Sequence, residues 1–178
     1  AKRKAEANQI IRRLSADRLM LLLAPGLEME FAHVPAGEFL YGDSKEKRRT
    51  EAFWIGRGPV TTAHFLAFVG EAGYKTAHSY YAGKVAQQQL NHPAKCVSWD
   101  DGLAWCAWAS TKAKSEIRLP SEVEWEKAAR GTDGREYPWG NVEPTERYAN
   151  FGKGDAWLKA SSEDKQKFTT PVGQFCPA

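Results

Sequence analysis

Reactive chemistry in this chain must come from a short stock of side chains. Four histidines, His33, His64, His78 and His92, are scattered, and no two stand four apart, the spacing that puts both imidazoles on one helical face. A mononuclear His-based metal site is therefore not expected. The three cysteines, Cys96, Cys106 and Cys176, include no CxxC pair. An odd number without that spacing argues against a disulfide framework or a structural zinc site and favours a reducing compartment, with a cytoplasmic location as the expectation. Cys106 falls on an apolar helical face, where a thiol behaves as a small buried hydrophobe. There is no phosphate loop, no GxGxxG after a strand and no GxSxG elbow. Nucleotide, dinucleotide and serine-hydrolase readings thus lack their signal.

The elements that would position these groups change character along the chain. Residues 1 to 24 are rich in good helix formers, and Ile10, Leu14 and Leu21 share a face, so a helix ended by Pro25-Gly26 is predicted, in one piece or restarted near Ser15. That places a helical extension at 1–26 and the main domain at 27–178. Leu27 to Val34, Glu38 to Tyr41 and Phe53 to Ile55 read as strands, the first two separated by the turn Pro35-Ala36-Gly37. Lys45 to Arg49, KEKRR, reads as a solvated loop. Thr61 or Thr62 can cap a helix carrying Phe65, Phe68 and Val69 that ends near Gly70 or Gly73. Ser98 with Asp101 and Ser121 with Glu124 have capping-box spacing. The first box opens a helix presenting Trp99, Leu103, Cys106 and Trp108, and the second a helix stopped by Gly131. Beyond Thr132 loops dominate, and Trp125 and Trp139 are expected to fill a core.

Two stretches, HPAKCVSWDDGLAWCAW (His92 to Trp108) and RLPSEVEWEKAARGTDGREYPWGN (Arg118 to Asn141), resemble the sulfatase-modifying-factor family of formylglycine-generating enzymes and their relatives. VPAGEFLYGD at Val34 to Asp43 and PVTTAHFLAFV at Pro59 to Val69 look like the family's earlier motifs, in the same order. The resemblance implies an α+β, C-type-lectin-like fold of low regular content, pinned by buried Trp and by structural calcium. It also implies calcium ligands here, since Tyr148-Ala149-Asn150 looks like the family's YAN element and Pro171-Val172 closes the next ligand segment. The oxygens would come from the Asn150 and Asp164 side chains and from the Phe151 and Gln166 carbonyls, a hard-oxygen set that suits calcium.

The departures are as informative. In the family, the copper-binding cysteine pair follows segments that have no counterpart among these residues, and none of Cys96, Cys106 and Cys176 matches it. No catalytic residue is assigned, and copper enters only if a further C-terminal part completes the site. A noncatalytic or incomplete module that recognises a protein or peptide partner is the expected function. The alternative is an oxidase converting a sulfatase cysteine to formylglycine with copper and oxygen. A third reading, a sulfoxide synthase of the ergothioneine type, joins this fold to a helical three-histidine iron domain, and Ala1 to Ala24 holds no histidine.

Composition bounds the rest. At 178 residues, 42% hydrophobic and 12% aromatic, the chain suffices for about one domain with a sizeable core. The first 18 residues carry six basic and two acidic side chains, so the overall +3 leaves the remainder at −1. A body that near neutrality lacks a broad basic face for nucleic acid. The longest apolar run, Leu19 to Ala24, has six residues against the roughly 20 that a membrane helix needs. No signal peptide is read at the start, and the opening at Ala1 rather than Met points to a segment of something longer.

Overall fold

In a computed structural model, which describes residues 10–151 and 169–175, the run Leu19–Ala24 is a strand and not a helix. The strands are β1 (Ile11–Arg13), β2 (Arg18–Ala24), β3 (Leu27–Val34), β4 (Gly37–Tyr41), β5 (Glu46–Thr50) and β6 (Phe53–Gly56). The helices are α1 (Thr62–Ala72), α2 (Lys84–Gln88), α3 (Trp99–Ala113) and α4 (Glu122–Arg130), with a 3-10 turn at Ser79–Ala82. The arrangement is mixed α+β with antiparallel sheets. Among the described residues no helix is long and apolar enough to cross a membrane. The chain divides into two compact units, Ala1–Arg57 with Ser98–Asn141, and Gly58–Val97 with Val142–Ala178.

Over the described residues 10–24 the helix expected before Gly26 is overturned by pairing, and residues 1–9 of that expectation lie outside the described residues. Leu21 and Leu23, two positions apart, are buried on one side of β2, a strand period that helix-forming composition conceals. Ser15 and Asp17 do not cap a restarted helix. They form the turn between β1 and β2, where the Ser15 hydroxyl meets Asp17 Oδ1 at 2.5 Å and the Leu14 N–H donates to the Arg18 carbonyl at 2.9 Å. Pro25-Gly26 is the turn of the next hairpin: Ala24 partners Leu27, and Gly26 takes φ 72°, which a Cβ would oppose.

In the first unit the sheet order is β1-β2-β3-β6, and β4 pairs with β5 in a separate ribbon. The sequence KEKRR, expected as a loop, lies largely in β5, opposite Glu38 to Tyr41. Its side chains are solvated as anticipated, but main-chain pairing needs no apolar alternation, and so the strand left no mark in the pattern. Helix α3 packs on β2 and buries Asp101, Trp105, Cys106, Trp108 and Ala109. Trp99 and Leu103 lie outside that arc, and Trp99 is 68% exposed. Trp125 is likewise 62% exposed and fills no core. Trp139 is half-buried and stacks on Tyr137 with ring centres 5.2 Å apart.

Both predicted carboxylate caps form. The Asp101 N–H donates to Ser98 Oγ at 3.1 Å while Asp101 Oδ2 accepts the Ser98 N–H at 2.7 Å. Glu124 Oε2 accepts the Ser121 N–H at 2.8 Å, and the Glu124 N–H donates back to Ser121 Oγ at 3.3 Å. Helix α4 is then fastened to the β4–β5 ribbon by charged groups. The Lys127 side chain, from a residue only 3% exposed, donates to the carbonyls of Pro35 and Gly37 at 2.7 and 3.0 Å. Glu126 accepts both the Gly42 N–H, at 2.7 Å, and the Arg130 guanidinium, at 2.8 Å.

The second unit has an aromatic core. Phe65 packs on Tyr81 with ring centres 4.5 Å apart and edge-on to Phe68, with Tyr80 and Ala86 buried beside them. The start of α1 is tied to the segment after α2: Thr62 N–H donates to the His92 carbonyl at 2.8 Å and Ala63 N–H to the Leu90 carbonyl at 2.9 Å. Helix α1 runs through Gly70, one of the two stops expected, and is capped by the other, Gly73, whose φ of 60° is left-handed.

Candidate functional site

The residues expected to ligate calcium divide between described and undescribed parts of the chain. Asn150 and Phe151 follow a turn in which the Tyr148 N–H donates to the Thr145 carbonyl at 2.9 Å, and both are exposed. An amide oxygen and a main-chain carbonyl there are hard donors of the kind calcium takes. Asp164 and Gln166 lie outside the described residues. The far flank of their segment is anchored within the second unit. Thr169 Oγ1 pairs with His92 Nδ1 at 2.9 Å, and the Val172 N–H donates to the Asn91 carbonyl at 2.8 Å. Val172 also explains Gly58, since a Cβ at that position would stand 2.7 Å from Val172 Cγ1.

The cysteines sit in unlike places. Cys106 is 5% exposed on α3, and burial pushes its thiol up from the ordinary value, away from the thiolate a soft metal needs. Cys96 is exposed and takes φ 57°, while Cys176 lies outside the described residues. Of the two described thiols only Cys96 is accessible, so among the described residues there is no pair of accessible thiolates of the soft kind that copper(I) takes. No group of three or more His, Cys, Asp or Glu suited to a metal occurs among the described residues.

Next to Cys96, the second unit gathers a polar cluster that periodicity did not reveal. Gln89 Oε1 accepts from Lys95 Nζ at 2.9 Å and from the Tyr80 hydroxyl at 3.1 Å. The Lys95 ammonium also lies 4.9 Å from the centre of the Tyr80 ring. Burial lowers the Lys95 pKa and raises that of Tyr80. The Tyr81 hydroxyl closes the cluster by donating to the Lys95 carbonyl at 2.8 Å. Sequence reading also passed over His64, although it stands three residues after Thr61, the same spacing that exposed the two carboxylate boxes.

Known proteins show where this combination of motifs recurs. The model of the sulfatase-modifying factor enzyme 1-like domain matches residues 25–178. Mouse formylglycine-generating enzyme is 41% identical over 90 residues, which covers 49% of this chain and 23% of the relative. The hercynine oxygenase of Mycobacterium tuberculosis is 35% identical over 133 residues, covering 57% of this chain and 30% of the relative. Mouse inactive C-alpha-formylglycine-generating enzyme 2 is 30% identical over 220 aligned residues, covering 89% of this chain and 68% of the relative. The chain therefore spans only 22 to 30% of the formylglycine-generating enzymes it matches.

Proposed function

Because the chain belongs to the sulfatase-modifying factor family, we propose that these residues form a noncatalytic recognition part that binds a protein or peptide partner. The observation that carries this reading is the state of the thiols. Cys106 is sealed in α3, and Cys96, the other described cysteine, is exposed and stands apart from it in environment. Copper chemistry on a substrate cysteine would need two thiolates on one metal, and this set does not supply them. The similarity to an inactive relative across 89% of the chain supports the same reading. So do Trp99 and Trp125, large aromatics left exposed on the first unit as residues at partner-binding surfaces often are. Calcium shared between Asn150, Phe151, Asp164 and Gln166 would tie the segment after Asn150 to its own far flank.

A second reading keeps the fold catalytic. The 41% identity to mouse formylglycine-generating enzyme favours an oxidase that converts a sulfatase cysteine to formylglycine, provided a further segment brings the copper ligands. One experiment separates the two. The whole natural gene product that contains these residues is incubated with copper, oxygen and a peptide carrying a sulfatase cysteine motif, and the peptide is weighed by mass spectrometry. An unchanged peptide supports the recognition reading, whereas conversion above a metal-only control overturns it.

A further inference from the structure

In the first unit, the turn Pro35-Ala36-Gly37 and the last residue of β5 converge on one side chain of α4. The Pro35 carbonyl, the Gly37 carbonyl and the Thr50 hydroxyl oxygen stand 2.7, 3.0 and 2.9 Å from Lys127 Nζ. Gly37 takes φ 142°, a conformation that a side chain opposes, so the turn that presents these carbonyls depends on glycine. Lys127 is 3% exposed, and little water reaches the point where the oxygens meet. An ammonium has three N–H donors, and the three oxygens use all of them.

All three oxygens are neutral, and among the described residues no carboxylate pairs with Lys127. Its neighbour Glu126 accepts instead from the Gly42 N–H and the Arg130 guanidinium. Burial, first, and the nearby Arg49 guanidinium lower the Lys127 pKa, and Arg49 itself stands opposite Glu38 across the ribbon. What holds the charge here is therefore a set of carbonyl and hydroxyl dipoles, the means by which a protein replaces the hydration shell of a potassium ion. A calcium ion would be served poorly, because it takes 6–8 oxygens, carboxylates among them, at about 2.3–2.6 Å.

We propose that the Pro35 and Gly37 carbonyls and the Thr50 hydroxyl form a monovalent-cation site of the ammonium and potassium class, which this chain fills with its own Lys127 ammonium. The side chain is a tethered ion. It joins the turn between β3 and β4, the end of β5 and helix α4 without capturing a free cation from solution, and the tether keeps the local concentration of that ion high. Cutting the side chain back leaves the three oxygens in place and opens the site to a free cation of matching size.

The test is urea unfolding of the full chain carrying Lys127→Ala, in ammonium, potassium, lithium and choline chlorides at one concentration. At about 0.3 M, ammonium and potassium should raise the ratio of folded to unfolded protein severalfold over the other two, by the factor 1 + [L]/Kd. Lithium is too small for oxygens at these distances, and choline too large. The wild type, whose site is filled, and Lys127→Met, whose side chain takes up the space, should show no such preference. An equal response of Lys127→Ala to all four salts, or the same preference in the wild type, overturns the proposal. Nitrogen-15 spectra of lysine-labelled wild-type protein give a second reading that needs no variant to fold. An ammonium signal that exchanges slowly with water at neutral pH and couples to the Pro35 and Gly37 carbonyl carbons supports the site, and its absence refutes it.

Discussion

Lys127 Nζ donates to the Thr50 hydroxyl at 2.9 Å, joining residues 77 positions apart and completing three bonds for one buried ammonium. The other two bonds end on main-chain carbonyls, so the charge is dispersed over neutral oxygens rather than matched by a carboxylate. Lys127→Met keeps the length of the side chain and removes the donor. Hydrogen bonds to a charged group are each worth about 1.5–3 kcal/mol, and the variant is expected to lose at least one such increment in urea unfolding. An unchanged midpoint would show that the ammonium contributes nothing net.

Glu124 gives a pH dependence of known sign. The Arg118 guanidinium, first, and the Ser121 N–H and hydroxyl hold its carboxyl down to about 2, below the usual range near 4.5. A depressed folded-state pKa means that the stability from this pair is present above the unfolded value and is lost as pH falls from about 4.5 toward 2. Glu124→Gln should flatten the acid limb of a stability profile across that window. Retention of the wild-type slope would place the acid sensitivity elsewhere.

Removing the other half of that cap should cost stability without altering any binding. Ser121→Ala is expected to lower unfolding free energy by about 0.5–2 kcal/mol, read from chemical denaturation at neutral pH.

The two described thiols should differ sharply in reactivity. In a Cys176→Ser background, Cys96 is expected to alkylate in the native protein, and Cys106 only after denaturant is added. Burial both blocks access to Cys106 and raises its pKa. Equal labelling of both without denaturant would contradict the placement of α3.

The calcium site proposed at Asn150 and Asp164 would have a thermal signature. Binding to the folded state adds RT ln(1 + [L]/Kd), about 2.7 kcal/mol at a hundredfold excess over Kd. Melts in calcium and in chelator should therefore separate, and Asp164→Ala should bring them together. Coincident wild-type curves would remove calcium from the account of this segment.

The legible parts of the fold were the local ones. Ser98 with Asp101 and Ser121 with Glu124 declare themselves because a cap is decided within four residues, and Pro35 to Gly37 breaks the chain whatever surrounds it. Strand β2 was hidden because its Leu and Met residues are also good helix formers, and what decides between the two is β3, across the hairpin. Strand β5 was hidden because its charges carry no period. Trp125 reads as core in sequence and is exposed in the fold, since amphipathicity tells a helix's faces apart only when its neighbours are known. Of the candidate ligands, Asn150 and Phe151 are placed on an exposed turn, and Asp164 and Gln166 fall outside the described residues.

The pairing of β2 with β3 bears on how this protein should be cut. A fragment trimmed to begin at residue 25, where the family match begins, would delete β1 and β2 together with the buried Leu21 and Leu23. It would leave one edge of an eight-residue strand with unpaired N–H and C=O groups beside a stripped apolar surface. Such an edge recruits strands from other molecules, and the shortened protein would be prone to form inclusion bodies for want of fourteen residues, 11–24, that the family match leaves out.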